Sequence, residues 1–285
     1  MSGIRAPSVA DLLRTTSLKC SLGCPILDRT LSGGIPTRLV TEIVGESTTA
    51  KTQLCLQLSL TVQAPIELGG LRGSALYIHT ESPAPVARLR SMAEARWRYR
   101  LEQAVEPSEA LEHIFIEKVL TSAEDLFETL TRAGELMARQ ADNPSRIRLL
   151  VVDSISNLFR DLDVADATDL SERSNLLYRI ARLLKEYAYV YDVAVVVTNH
   201  VMDCVDLNAP TTKATIPFPY HTSGRSVMPA LGLYWGSSLN LRIFLSRHEA
   251  SDHLKGPARR LQVLFAPNLP LVKCEFSVDN WGVHA

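Results

Sequence analysis

The chain has 285 residues, 46% of them hydrophobic, and its 30 basic and 31 acidic residues leave a formal net charge of −1. That is enough chain for one large α/β domain with a short appendage, and no uninterrupted apolar run reaches the ~18–20 residues of a membrane span. The even charge balance argues against a free-standing nucleic-acid binder, which carries a clear positive excess. The opening "MSGIRAPSVADLLRTTSLKC" lacks a charged region followed by an apolar core, so it does not read as a secretory signal, and a soluble intracellular protein is expected. Five cysteines, at 20, 24, 55, 204 and 274, are odd in number and lack paired CxxC spacing. Cys20 and Cys24 have no second pair or nearby His to complete a tetrahedral set, so they are expected as small buried residues.

Residues 1–19 are polar and broken by Pro7, with one short helical pattern at Ala10–Leu13, and read as a linker or arm. "LVTEIVG" (39–45) predicts a short apolar strand, and "KTQLCLQLSLTVQ" (51–63) a helix with Leu54, Leu58 and Val62 on one face. After the turn signal "LGGLRG", "SALYIHTE" (74–81) predicts the next strand and the segment from Pro85 to about Val105 a polar helix. "HIFIEKV" (113–119) reads as a strand, and 122–140 as an amphipathic helix capped by Ser122. "RLLVVDS" (148–154) is a buried strand, a long helix follows in "DLSERSNLLYRIARLLKEYAYVY", and "VAVVVTNHV" (193–201) is the fourth strong strand.

Strands this apolar, alternating with helices, predict a mostly parallel sheet covered on both faces. Beyond Ser238 the strands "LNLRIFLSR", "RRLQVLFA" and "VKCEFSV" follow one another without helices, which predicts an antiparallel extension of that sheet. The economical division is an arm over 1–19 and one domain over 20–285.

The stretch "GESTTAKTQL", Gly45 to Leu54, nearly fits the phosphate-loop pattern G-x-x-x-x-G-K-[ST], except that Ala50 stands at the second glycine. A strand, a glycine-bearing loop and a helix in that order would point backbone N–H groups inward and add the helix dipole. Lys51 would then reach the β- and γ-phosphates and Thr52 would hold Mg²⁺, whereas the bland alternative is a surface turn that contains Lys-Thr. Such a site needs a carboxylate at the end of a neighbouring strand, and "LLVVD" supplies Asp153. Glu81 ends "ALYIHTE", at the strand edge where ligands gather in an open parallel sheet, and could polarise a water or be a solvated acid. Thr198, Asn199 and His200 end the fourth strand at the same edge and could sense a γ-phosphate. At Ala50 a positive φ would cost on the order of 1 kcal/mol, and a negative φ would raise only the question of room for one methyl.

The series "LSGGIP", "GESTTAKTQL", "YIHTE", "LLVVDS" and "VVVTNHV" resembles the RecA-type recombinase core in its eukaryotic form. "SLGCPILDRTLSGGIP", "PALGLYWGSSLNLRIFLSR" and "LFAPNLP" resemble the recombinase paralogues within that family, and the likeness runs from about Leu22 to Val283. The family's small helical N-terminal domain has no counterpart here, where the arm 1–19 stands alone. The resemblance implies a RecA-type P-loop ATPase core with ATP and Mg²⁺ as cofactors. It places Gly45, Glu46, Ser47, Thr48, Thr49, Ala50, Lys51, Thr52 and Gln53 around the nucleotide. It also makes Asp153 the partner of Thr52 at the metal, Glu81 the residue that activates water, and Arg88 the arginine that packs on adenine. Asn199 and His200 fall at the γ-phosphate sensor, where His200 replaces the usual glutamine, and His79 replaces a common aspartate.

The family's DNA loops follow the Asp153 strand and the fourth strand. The first holds Asp161, Asp163, Asp166, Asp169 and Glu172 against Arg160 and Arg173, a set that repels phosphate. The second, roughly 201–228, offers Lys213, Arg225, Phe218, Tyr220 and His221, while Pro217 and Pro219 make a structural loop an equal reading. "FAPNLP" resembles the cap that covers a neighbour's nucleotide, with Pro267 and Asn268 in it and Phe265 where aspartate is usual. What the resemblance implies is a mediator in homologous-recombination repair of DNA double-strand breaks, located in the nucleus and also in the cytoplasm. Its expected partners are another recombinase paralogue, the one lettered C, as a heterodimer, and the main eukaryotic recombinase filament. DNA would be met mainly through that complex, and no membrane is involved. The alternative is a filament-forming strand-exchange ATPase, and a DNA-dependent ATPase of slow turnover is the expected enzymology.

Overall fold

A computed structural model of the protein describes residues 17–81, 83–98, 106–159, 167–204, 220–248 and 258–285. The short pair β1 (Lys19–Cys20) and β2 (Ile35–Pro36) brackets helix α1 (Pro25–Thr30), which opens with Pro25 in its first turn, where a missing N–H costs nothing. Then come β3 (Val40–Gly45), α2 (Lys51–Thr61), β4 (Ser74–His79), α3 (Val86–Arg98), α4 (Pro107–Glu112) and β5 (Ile114–Lys118). Helix α5 (Ala123–Arg139), β6 (Ile147–Asp153), α6 (Ala167–Val190) and β7 (Ala194–Asn199) complete the alternating part. The C-terminal part holds β8 (Val201–Asp203), β9 (Tyr220–Thr222), β10 (Arg225–Pro229), α7 (Gly232–Ser237), β11 (Leu241–His248), β12 (Ala258–Phe265), β13 (Lys273–Asp279) and β14 (Gly282–His284).

The main sheet has nine strands in the order β14-β13-β12-β11-β3-β7-β6-β4-β5. From β11 to β5 every neighbour is parallel, and from β11 to β14 every neighbour is antiparallel. Strand β11 thus belongs to both halves: it runs parallel to β3, with Ile243 opposite Ile43, and antiparallel to β12. The expected extension is present, and the change of direction falls one strand later than its first member.

Side-chain alternation along each strand divides the core in two. On β6, Leu149 and Val151 join the layer under α2, where Leu54 and Leu58 pack, while Leu150 and Val152 join the layer under α5 and α6. Strands β4 and β7 divide the same way, which is why both read as unbroken apolar runs. Ser122 caps α5, its hydroxyl accepting from Asp125 N at 3.1 Å. Cys20, Cys24 and Cys55 are buried, and none of the five cysteines is in a disulfide.

One feature differs from the sequence reading, and several expectations lie outside the described residues. Helix α3 is described only to Arg98, and its expected continuation to Val105 lies outside the described residues, as does the pattern at 10–13. The segment expected as a second loop carries a three-stranded sheet in the order β8-β10-β9. Its β9–β10 hairpin turns on Ser223 (φ 48) and Gly224 (φ 73), two consecutive left-handed residues of the kind a two-residue hairpin favours. The acids at 161, 163 and 166, with Lys213, Pro217, Phe218 and Pro219, lie outside the described residues. Among the described residues no helix is long and apolar enough to cross a membrane.

Candidate functional site

The carboxyl ends of β3, β4, β6 and β7 converge on one crevice, because parallel strands in one sheet all point their C-termini the same way. Strand β3 delivers Gly45, where a side chain is excluded: a Cβ there would lie 2.5 Å from Leu245 O and 2.7 Å from Thr49 Oγ1. The chain then turns through Thr48 (φ 64) and Ala50 (φ 82) before α2 begins at Lys51. Ala50 therefore stands in the left-handed backbone region that favours glycine.

Lys51 is buried, and its Nζ donates to Gly45 O and Glu46 O, each at 2.8 Å. The ammonium is held across the loop instead of pointing into solvent. Thr52 Oγ1 donates to Asp153 Oδ2 at 2.7 Å. The same carboxylate accepts from Tyr77 Oη at 2.5 Å and, through Oδ1, from Thr198 Oγ1 at 2.5 Å. Three hydroxyls on three elements thus fix one carboxylate. Burial, then the Asp153 charge, raises the Tyr77 hydroxyl well above the ordinary tyrosine value, so it stays a donor.

Glu81 Oε1 lies 3.2 Å from His200 Nε2, and its carbonyl accepts from or faces His79 Nδ1 at 2.7 Å. Thr80 and Ser154 exchange two hydrogen bonds of 2.8 and 3.0 Å, which lock the end of β4 to the end of β6. His200 N donates to Ser156 Oγ at 3.0 Å, tying the end of β7 to the same corner.

A cavity of about 280 Å³ opens at this edge. Its walls are Ser47, Thr48, Ala50, Lys51, Thr52 and Gln53 of the loop, with Glu81, Asp153 and His200, closed by Arg259 of β12 and Val278 of β13. Lys51, Thr52, Asp153, Glu81 and His200 are therefore brought together. Gly45, Glu46 and Thr49 frame the loop from behind, with Thr49 Oγ1 donating to Glu46 O at 2.8 Å.

Two expected contributors to this cavity, Asn199 and Arg88, face elsewhere. Asn199 is fully buried and donates its amide to Glu42 Oε1 at 2.8 Å, in a cluster where Glu42 also holds Trp235 Nε1 at 2.7 Å and the Arg242 guanidinium. The side-chain period of two explains this: consecutive residues on β7 and just past it cannot both face the cavity. Arg88 does not line the cavity either, because its guanidinium donates to Gln53 Oε1 (2.7 Å), Asn280 O (3.0 Å) and Asp279 O (2.5 Å), bracing the β13–β14 turn against α2. Pro267 and Asn268, expected to cover a neighbouring chain's nucleotide, border a small pocket beside Ser17, Pro36 and Leu241. Sequence reasoning missed Tyr77, Arg259 and Val278. Tyr77 stood in plain view within "YIHTE", two residues before His79 on the same face, whereas nothing local marks Arg259 or Val278 as wall residues.

The profile of the Rad51 family matches residues 13–285. The chain belongs to the Rad51 family. Its mostly parallel sheet with antiparallel C-terminal strands is the RecA-type fold of that family. It is 36% identical to "DNA repair protein XRCC3 homolog" of Arabidopsis thaliana over 96% of each chain. It is 34% identical to "DNA repair protein XRCC3" of Mus musculus, over 93% of this chain and 74% of that protein. "DNA repair and recombination protein RadA" of Metallosphaera sedula is 33% identical over 95% of this chain and 73% of that protein. Rad51-family proteins are ATP-binding, and the converging loop, lysine, hydroxyl and carboxylate described above are the parts such a site requires.

Proposed function

We propose that this chain is an ATP-binding recombinase paralogue that acts as a mediator in homologous-recombination repair, with nucleotide serving chiefly to hold an assembly together. The observation that carries the nucleotide reading is the Thr52–Asp153 pair set beside buried Lys51 at the start of α2, on one cavity. The donor set fits a magnesium nucleotide. An ammonium and a helix N-terminus suit phosphate oxygens, and a hydroxyl paired with a carboxylate suits Mg²⁺ and its waters. Bound ATP would supply the transferable phosphoryl group. Lys51 would hold phosphate oxygens in place of its two loop carbonyls, and Thr52 with Asp153 would hold the metal. Glu81, whose Oε1 lies 3.2 Å from His200 Nε2, would orient a water and accept its proton. The strained backbone at Ala50 supports slow turnover.

Lys51→Ala tests the reading. Calorimetry should show most nucleotide binding lost with the fold intact, and equal affinity in the two chains would sink the assignment. The second paralogue, the one lettered C, and the main recombinase filament are the proposed partners, in the nucleus, with the arm 1–19 as part of the contact. The family resemblance and the likeness to XRCC3 proteins support this. The alternative, a filament-forming strand-exchange ATPase, is favoured by the likeness to RadA, and measuring self-assembly of the pure chain with ATP separates the two.

A further inference from the structure

Glu46, the second residue of the phosphate loop, is nearly fully buried, and its carboxylate accepts four hydrogen bonds from outside the loop. Oε1 takes Thr222 Oγ1 (2.7 Å), Ser223 Oγ (2.5 Å) and Arg247 Nε (3.0 Å), while Oε2 takes Arg225 Nη2 (2.9 Å). Three of these donors sit in or beside the β9–β10 turn. Arg225 also reaches on to Asp203 of β8, its Nη1 lying 2.8 and 3.1 Å from the two carboxylate oxygens. One arginine therefore joins the loop to two strands of the small sheet.

The backbone of Glu46 faces the other way. Its carbonyl accepts Lys51 Nζ and Thr49 Oγ1, both at 2.8 Å. The same residue thus holds the phosphate-binding lysine by its main chain and the hairpin by its side chain. An anion that draws Lys51 off the carbonyl acts directly on residue 46, whose side chain is tied to the hairpin by three donors and to β11 by Arg247. A second cavity of about 360 Å³, bordered by Glu46, His200, Asp203, Arg225 and Arg247, leaves the hairpin room to respond.

We infer that Glu46 couples the phosphate loop to the three-stranded sheet β8–β9–β10, so that nucleotide in the loop changes how that sheet is held. This rests on the loop taking nucleotide, as proposed above. The class of ligand is a nucleoside triphosphate with magnesium, and the responding element is the hairpin Tyr220–Pro229. The coupling works through a positioning residue and asks no chemistry of Glu46.

Hydrogen exchange of the full chain, with and without Mg²⁺ and the slowly hydrolysed analogue ATPγS, tests this alongside calorimetry. In the wild type, nucleotide should shift exchange in peptides covering 220–229 as well as 45–54, by about threefold or more in rate. Ser223→Ala and Arg225→Gln lie outside the phosphate loop at exposed positions, so neither disturbs the core. Each should keep nucleotide affinity within about twofold of wild type while the shift at 220–229 falls and that at 45–54 persists. The inference is overturned if both variants keep the full shift at 220–229. It is equally overturned if the wild type shows none there while calorimetry shows nucleotide bound. Absence of any binding by calorimetry overturns the nucleotide reading first, and this one with it.

Discussion

Ala50 carries a methyl group at φ 82, a backbone region where an L side chain costs ~1–2 kcal/mol and glycine costs nothing extra. Ala50→Gly should therefore stabilise the chain by about 1 kcal/mol, read as a higher urea midpoint with an unchanged slope. A lower midpoint would mean that the methyl packs better than its backbone suffers. At Glu46, burial works to raise the carboxyl, but the bonds from Ser223, Arg247, Thr222 and Arg225 outweigh it and bring it from 4.5 to about 2. A folded-state value below the unfolded one stabilises the native chain above the unfolded pKa. That contribution is present above about pH 4.5 and is lost as pH falls towards 2. Glu46→Gln should consequently be less stable than wild type at pH 6, with the gap narrowing as the acid is titrated, as urea unfolding at pH 6 and pH 3 would show.

Between elements, the polar ties do what the sheet alone cannot. The β13–β14 hairpin lies at the far edge of a nine-strand sheet, and Arg88 reaches from α3 to two of its carbonyls and to Gln53 of α2. Each bond to a charged donor contributes on the order of 1 kcal/mol or more. Arg88→Ala should speed hydrogen exchange at 279–284 while β3 and β7 stay protected, and unchanged exchange there would deny the brace. If Arg88 instead meets adenine in the nucleotide complex, the same variant should also weaken ATP binding by calorimetry. Helix α5 illustrates the opposite case, an element whose boundary is set locally, by Ser122 at its start.

For the whole molecule, the proposed function makes two expectations. The isolated chain should bind single-stranded DNA weakly, since Asp161, Asp163 and Asp166 in the sequence before α6, with Asp169 and Glu172 in its first turns, outnumber Arg160 and Arg173. Submicromolar affinity at physiological salt, measured by fluorescence anisotropy, would contradict it. Co-purification with a second recombinase paralogue should strengthen with ATP and weaken on removal of 1–19, because a ligand bound between two chains favours their assembly by mass action. A stable monomer in the presence of ATP and every recombinase paralogue would end the mediator reading.

How much of this was legible beforehand follows from the range of the forces involved. Apolar runs and their alternation with helices are short-range signals, so β3, β4, β6, β7 and the helices between them could be read from the sequence alone. The phosphate loop, Asp153 and Glu81 could be read too, because each ends a strand whose direction the pattern implies. What Asn199 and Arg88 face depended on residues 157 and more than 190 positions away, Glu42 in one case and Asp279 and Asn280 in the other. The sign of φ at Ala50, the four donors on Glu46 and the wall made by Arg259 and Val278 were likewise decided only by tertiary structure. A buried carboxylate takes whatever donors the assembled fold brings to it, and no local pattern records which those will be.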